Sequence, residues 1–123
     1  MDCPAIFIVD DDAAVRKAVR RLLSPLRHAV RPFASAEQFL AQTENGTPGC
    51  LILDMGLPGI NGLQLQKRLA DQAWRLPVIF ITAQVDPRSR EEALRAGAID
   101  YLVKPFDCEK LLQHVRQAMT EHP

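Results

Sequence analysis

Five polar side chains stand at the carboxyl ends of four apolar runs in this chain. Asp10 and Asp11 follow Ala5-Ile6-Phe7-Ile8-Val9, and Asp54 follows Cys50-Leu51-Ile52-Leu53. Thr82 closes Val78-Ile79-Phe80-Ile81, and Lys104 follows Tyr101-Leu102-Val103. Carboxylates crowded into one crevice repel and raise one another's pKa unless a cation sits among them. A hard divalent ion such as Mg²⁺ suits them, because it takes oxygen ligands and keeps positions for water and phosphate oxygens. Lys104 adds a fixed positive charge and Thr82 a hydroxyl donor. Metal, ammonium and hydroxyl around one carboxylate are suited to stabilising charge on a phosphoryl group in transfer. The carboxylate is itself a competent nucleophile for aspartyl-phosphate chemistry. Asp54 is the candidate, since the loop after it, with Gly56, Pro58, Gly59 and Gly62, leaves it accessible. No His-Ser or Cys-His arrangement competes: His28, His114 and His122 fall in helix or surface contexts without a partner pattern.

For these ends to meet, the runs must be strands of one sheet pointing the same way. A continuous apolar run bounded by Gly and Pro reads as a strand buried on both faces, as in a parallel sheet. The crevice of such a sheet lies outside the carboxyl ends of its strands. Between the runs the period turns helical. Val15, Ala18, Val19, Leu22, Leu23 and Leu26 follow Asp12, a candidate N-cap, and Pro25 predicts an end or bend near Ser24. Residues 29–32 form a short, weakly patterned strand, placed toward an edge by Pro32. Ser35 opens a second helix with Phe39 and Leu40 as its contacts, and 43–49 is a turn-rich loop. A third helix covers about 62–72 through Leu63, Leu65 and Leu69. Asp86-Pro87 opens a fourth, to about Ala96, with Gly97 just beyond it. A last amphipathic helix carries Leu111, Leu112, Val115 and Met119. Five strands alternating with five helices imply an α/β fold, a doubly wound parallel sheet.

The 123 residues fit one domain with a single well-filled core. Fifteen basic and fifteen acidic side chains cancel, which argues against a self-sufficient DNA binder. Cys3, Cys50 and Cys108 are odd in number, widely spaced and without metal-ligand spacing, so reduced thiols in the cytoplasm are expected. No apolar run approaches a membrane span, and no signal-like prelude precedes the first strand.

With these motifs in order over essentially the whole length, the chain closely resembles the receiver domain of two-component response regulators. The matching residues are Val9-Asp10-Asp11, Asp54-x-x-Leu57-Pro58-x-x-x-Gly62, Thr82-Ala83 and Lys104-Pro105-Phe106. Arg16, Phe33, Ser35-Ala36 and the Leu57-Pro58-Gly59 turn are similar to the FixJ-like subgroup, whose members usually continue into a helix-turn-helix DNA-binding domain. The resemblance implies a flavodoxin-like sheet with strand order 2-1-3-4-5. It implies that Asp54 accepts phosphate from a sensor histidine kinase and that Mg²⁺ is held by Asp11, Asp54 and the Gly56 carbonyl, with Asp10 acting through water. Thr82 would move to bond the phosphoryl group and Lys104 would contact another of its oxygens. Tyr101 would turn inward with Thr82, and the bond before Pro105 would be cis and aim the ammonium at the site. Two departures concern the site: Gly56 has no side chain beside Asp54, and Gln84 stands two residues after Thr82. Both positions influence water access in the family, and Gly56 leaves the site open.

The resemblance implies a phosphoacceptor module rather than an enzyme, one that switches the face of the fourth helix, fifth strand and fifth helix to control an output such as transcription. DNA would be reached only indirectly, through a domain outside this chain, and phosphorylation could bring a homodimer. A phosphatase or phosphotransferase acting through an aspartyl-phosphate is the alternative from another class. Such enzymes usually carry a second acid two residues after the nucleophile, where Gly56 stands here. A phosphorylation-independent interaction module would typically lack the acid pair or the lysine, and both are present. The plainer roles are a solvated face for Arg16, Lys17, Arg20 and Arg21, a strand aromatic for Tyr101, and inert packing for Cys50 and Cys108.

Overall fold

The computed structural model describes residues 4–120; Cys3 and His122 lie outside the described residues. The strands are β1 (Ala5–Val9), β2 (Ala29–Phe33), β3 (Gly49–Asp54), β4 (Val78–Thr82) and β5 (Asp100–Val103). The helices are α1 (Ala13–Leu23), α2 (Ala36–Gln42), α3 (Gly62–Asp71), α4 (Pro87–Arg95) and α5 (Cys108–Thr120). All strand pairs are parallel, in the order β2-β1-β3-β4-β5. This is the five-stranded, doubly wound, flavodoxin-like sheet expected from the chain.

Alternation along each strand divides the interior in two. Phe7, Val9, Leu51, Leu53 and Phe80 face α2, α3 and α4, where Phe39, Leu65, Leu69 and Ala93 meet them. Ile6, Ile8, Cys50, Ile52, Ile79 and Ile81 face α1 and α5, meeting Val19, Leu23, Leu111 and Val115. β1, β3 and β4 are buried along their whole length, which is why their sequences are apolar runs rather than alternations. Each fully buried large apolar side chain contributes roughly 1.5–3 kcal/mol.

Capping explains where the helices begin. The Asp12 side chain accepts from the Ala14 amide, Ser35 from Gln38, and Asn61 and Gln64 form a reciprocal capping box. Pro25 ends α1 in a 3₁₀ turn over Ser24–Leu26, closed by Arg27 at φ 59. β2 is an edge strand, so Pro32 forfeits no ladder bond on its outer side. The α1 stripe is narrower than its sequence pattern implied, for Ala18 is exposed while Val19 and Leu23 carry the burial. Phe39 stacks on Trp74 with centroids 5.3 Å apart, and the indole N–H donates to the Thr47 carbonyl at 2.8 Å.

Candidate functional site

Sheet register brings the polar strand ends together. Val9 pairs with Leu53, so Asp10 and Asp54 follow side by side; Asp54 pairs with Ile81 and Thr82 with Val103, so Thr82 and Lys104 complete the rim. With Asp11 and Gly56 they line one cleft of about 510 Å³.

Asp10 is the fixed point of this cleft. It is wholly buried, and each of its polar atoms has a partner. One carboxylate oxygen accepts from the Asp12 amide at 2.8 Å and the other from the Lys104 ammonium at 2.9 Å. Its carbonyl accepts from the Arg16 guanidinium at 2.7 Å, and its amide donates to the Phe33 carbonyl at 3.1 Å. Arg16 therefore leaves the solvated face that its neighbours Lys17, Arg20 and Arg21 occupy. Asp11 is exposed at the mouth.

Asp54 is 7% exposed, more enclosed than its turn-rich loop suggested, and it lines the cleft. One of its oxygens accepts from the Gly56 amide at 3.3 Å and lies 3.9 Å from the Lys104 nitrogen. Burial, and next the charge of Asp10, push its pKa above the ordinary carboxylate value; Lys104 and the Gly56 amide pull the other way without cancelling them. The Thr82 hydroxyl donates to the Gln84 carbonyl at 3.1 Å. A Cβ at position 56 would meet nothing within 4 Å, so the approach beside Asp54 is open there.

Tyr101 is 5% exposed, with its ring 6.5 Å from Phe80 and its hydroxyl buried without a partner among the described residues. The Lys104–Pro105 peptide is cis. Cys50 is buried and its thiol is pushed up to about 12 by desolvation, the opposite of a reactive cysteine; Cys108 is exposed. His114, expected to have no partner, lies 2.8 Å from an Asp100 oxygen and joins α5 to β5. The two are 14 residues apart on different elements, so no periodicity in the sequence signals the pair.

Oxygens of Asp10, Asp11 and Asp54 lie within 4.8 Å of one another, the spacing of a candidate metal centre. The donors are all carboxylate oxygens, which suit a hard cation, and a cation here would oppose the repulsion from Asp10 that, after burial, raises the pKa of Asp54.

The family described as response regulator receiver domain matches residues 6–116, and this chain belongs to it. Among curated relatives, the transcriptional regulatory protein TdiR of Thauera aromatica is 39% identical over 114 residues, covering 93% of this chain and 50% of TdiR. The transcriptional regulatory protein FixJ of Bradyrhizobium diazoefficiens is 33% identical over 116 residues, 94% of this chain and 57% of FixJ. Among solved structures, response regulator StyR superposes with a TM-score of 0.87 at 39% identity, over 95% of this chain and 59% of that one. The structure named FixJ-N superposes with a TM-score of 0.84 at 32% identity, over 100% of this chain and 98% of that one. The chain spans about half the length of the curated relatives it matches. Receiver domains of transcriptional regulators are signalling domains, not classical enzymes. No helix among the described residues is long and apolar enough to cross a membrane.

Proposed function

We propose that Asp54 accepts a phosphoryl group from a phosphohistidine of a sensor histidine kinase, and that the charge this adds switches the α4-β5-α5 face of the domain. The observation that carries this reading is the single cleft in which a buried Asp54 of raised pKa faces Lys104, Thr82 and two further carboxylates. In the transfer, an Asp54 oxygen forms the new bond to phosphorus as the bond to the histidine nitrogen breaks, and the imidazole leaves with the electron pair. Mg²⁺, held by Asp11, Asp54 and the Gly56 carbonyl and through water by Asp10, would supply positive charge against that developing on the phosphoryl oxygens. Lys104 balances the same charge from the β5 side. Thr82 exchanges its bond to the Gln84 carbonyl for one to a phosphoryl oxygen, while Tyr101, expected to turn inward with it, already lies inside at 5% exposure. A phosphoaspartate behind an open Gly56 is exposed to water, which favours a signal of limited duration.

The output is transcription, exercised through a DNA-binding domain outside this chain, a reading supported by TdiR and FixJ, which are named transcriptional regulatory proteins and of which the match covers 50% and 57%. The single domain 1–123 acts in the cytoplasm, where the kinase presents its phosphohistidine. The glycine at position 56, where an aspartyl-phosphate phosphatase would need a second acid, disfavours that enzyme class.

Labelling with a small acyl phosphate tests the reading. Incorporation of one phosphoryl group that requires Mg²⁺ and disappears in Asp54→Asn, with no turnover of ordinary phosphomonoesters, is expected. Undiminished labelling of Asp54→Asn would overturn it.

A further inference from the structure

α4 is the least rooted of the five helices. Ala93 is its one fully buried side chain, and the helix begins just beyond the Thr82 loop, where Val85 is 63% exposed. Against this weak apolar anchorage stands one polar bond. Gln66 on α3, only 7% exposed, donates from Nε2 to the carbonyl of Ala93 at 3.1 Å. The same carbonyl accepts from the Ala98 amide at 3.0 Å, which folds the chain back over Gly97 at φ +104. The last carbonyls of a helix have no partner within it, and a buried donor from a neighbouring element satisfies one of them at the cost of fixing the two elements together.

The other end of this link is tied to the phosphoacceptor loop. α3 starts at Gly62, whose amide donates to the Met55 carbonyl at 3.2 Å. Gly62 is also packed so closely on the Asp54 carbonyl that an added Cβ would lie 2.8 Å from it. A glutamine at this place is otherwise poorly suited to its surroundings, for it lies on the buried side of α3 with Leu65 and Leu69, where an apolar residue would pack without desolvating an amide. The hydrogen bond to Ala93 is what makes the amide tolerable there.

We propose that Gln66 is a positioning residue that pins the C-terminal turn of α4 to α3 and makes it the pivot about which the N-terminal half of α4 moves. The pin is a property of the resting domain. The pivot rests on the reading of Asp54 as a phosphoacceptor, because it needs a rearrangement of the Thr82 loop to drive it.

Gln66→Met keeps the length and volume of the side chain and removes the donor, so a purely space-filling role would survive it. Without phosphodonor, amide exchange at Ala96, Gly97 and Ala98 is expected to rise about fivefold in Gln66→Met while β1 and β3 amides keep their rates. Unchanged exchange at those three amides, or an equal rise throughout the chain, overturns the pin. With Mg²⁺ and beryllofluoride, backbone chemical-shift changes in the wild type should be large over 88–90 and small over 93–97, and in Gln66→Met they should extend along the whole helix. Matching patterns in the two proteins overturn the pivot. If beryllofluoride perturbs neither protein, the phosphoacceptor reading falls and the pivot with it, while the pin is decided by the exchange rates alone.

Discussion

The Lys104 ammonium lies 2.9 Å from Asp10 and 3.9 Å from Asp54, so the one cation that lines the cleft among the described residues is shared unequally between two carboxylates. Asp10 is wholly buried and depends on that cation; Asp54 keeps an oxygen available for chemistry. Lys104→Met should therefore lower stability in metal-free buffer by about 2 kcal/mol, less than for a wholly dry pair because the Lys104 side chain retains 22% exposure. Added Mg²⁺ should restore more stability to the variant than to the wild type, since it then replaces a missing charge. Thermal unfolding with chelator and with Mg²⁺ measures both; equal responses would contradict the unequal sharing.

Asp54 itself should oppose folding at neutral pH. Its folded pKa is raised, by burial first and the Asp10 charge next. A raised carboxyl pKa gives stability that is fully present below the unfolded value and is lost as pH rises through the folded one. Above that window, Asp54→Asn removes a charge that folding disfavours. It should raise stability by about 1 kcal/mol without metal, or roughly 3 °C in Tm, and Mg²⁺ should narrow the difference. A destabilised Asn variant in chelator would refute this.

Gly62 is required by space. A Cβ there would lie 2.8 Å from the Asp54 carbonyl oxygen and 2.9 Å from both the Met55 Cα and the Phe80 ring. Two of these neighbours are backbone and cannot swing away, so Gly62→Ala should cost about 1–3 kcal/mol and slow phosphoryl transfer to Asp54 by about tenfold or more. Gly56→Ala, whose Cβ meets nothing within 4 Å, is the matched control and should leave stability within about 0.5 kcal/mol. Denaturant titration and acyl phosphate labelling of the two variants check the contrast.

Asp100 should make the anchorage of α5 acid-sensitive. Burial raises its pKa, but the Tyr101 amide, the His114 ring and the Lys110 ammonium outweigh burial and hold it below its ordinary 3.8. A depressed carboxyl pKa contributes stability that is present above the unfolded value and disappears as pH falls through the folded one. Asp100→Asn should cost about 1 kcal/mol at pH 7, and this difference from the wild type should shrink away as pH falls through the lowered folded pKa. A difference that persisted into strong acid would assign the effect to packing instead.

The fold was legible because β1, β3 and β4 are buried on both faces, which leaves unbroken apolar runs that the helix-capping residues Asp12, Ser35 and Asp86 then punctuate. The convergence of Asp10, Asp11, Asp54, Thr82 and Lys104 was legible for a related reason: parallel strands put everything that follows an apolar run at one end. What stayed hidden depends on pairs that no local pattern encodes. His114 meets Asp100, Arg16 bends back to the Asp10 carbonyl, and Gln66 reaches α4 across 27 residues of sequence. Each is a polar contact whose partner is chosen by tertiary packing, and two of the three end on a backbone carbonyl, which has no letter of its own.

The stack of Trp74 on Phe39 has an optical consequence. This is the one tryptophan of the chain, and it is sealed under α2 and α3 with its N–H on a loop carbonyl, well away from the Asp54 cleft. Its emission should be blue-shifted and should report collapse or melting of that side of the sheet, while events at the acidic cleft leave its intensity flat. Ligand titrations followed by intrinsic fluorescence will thus need a second chromophore placed near residue 84.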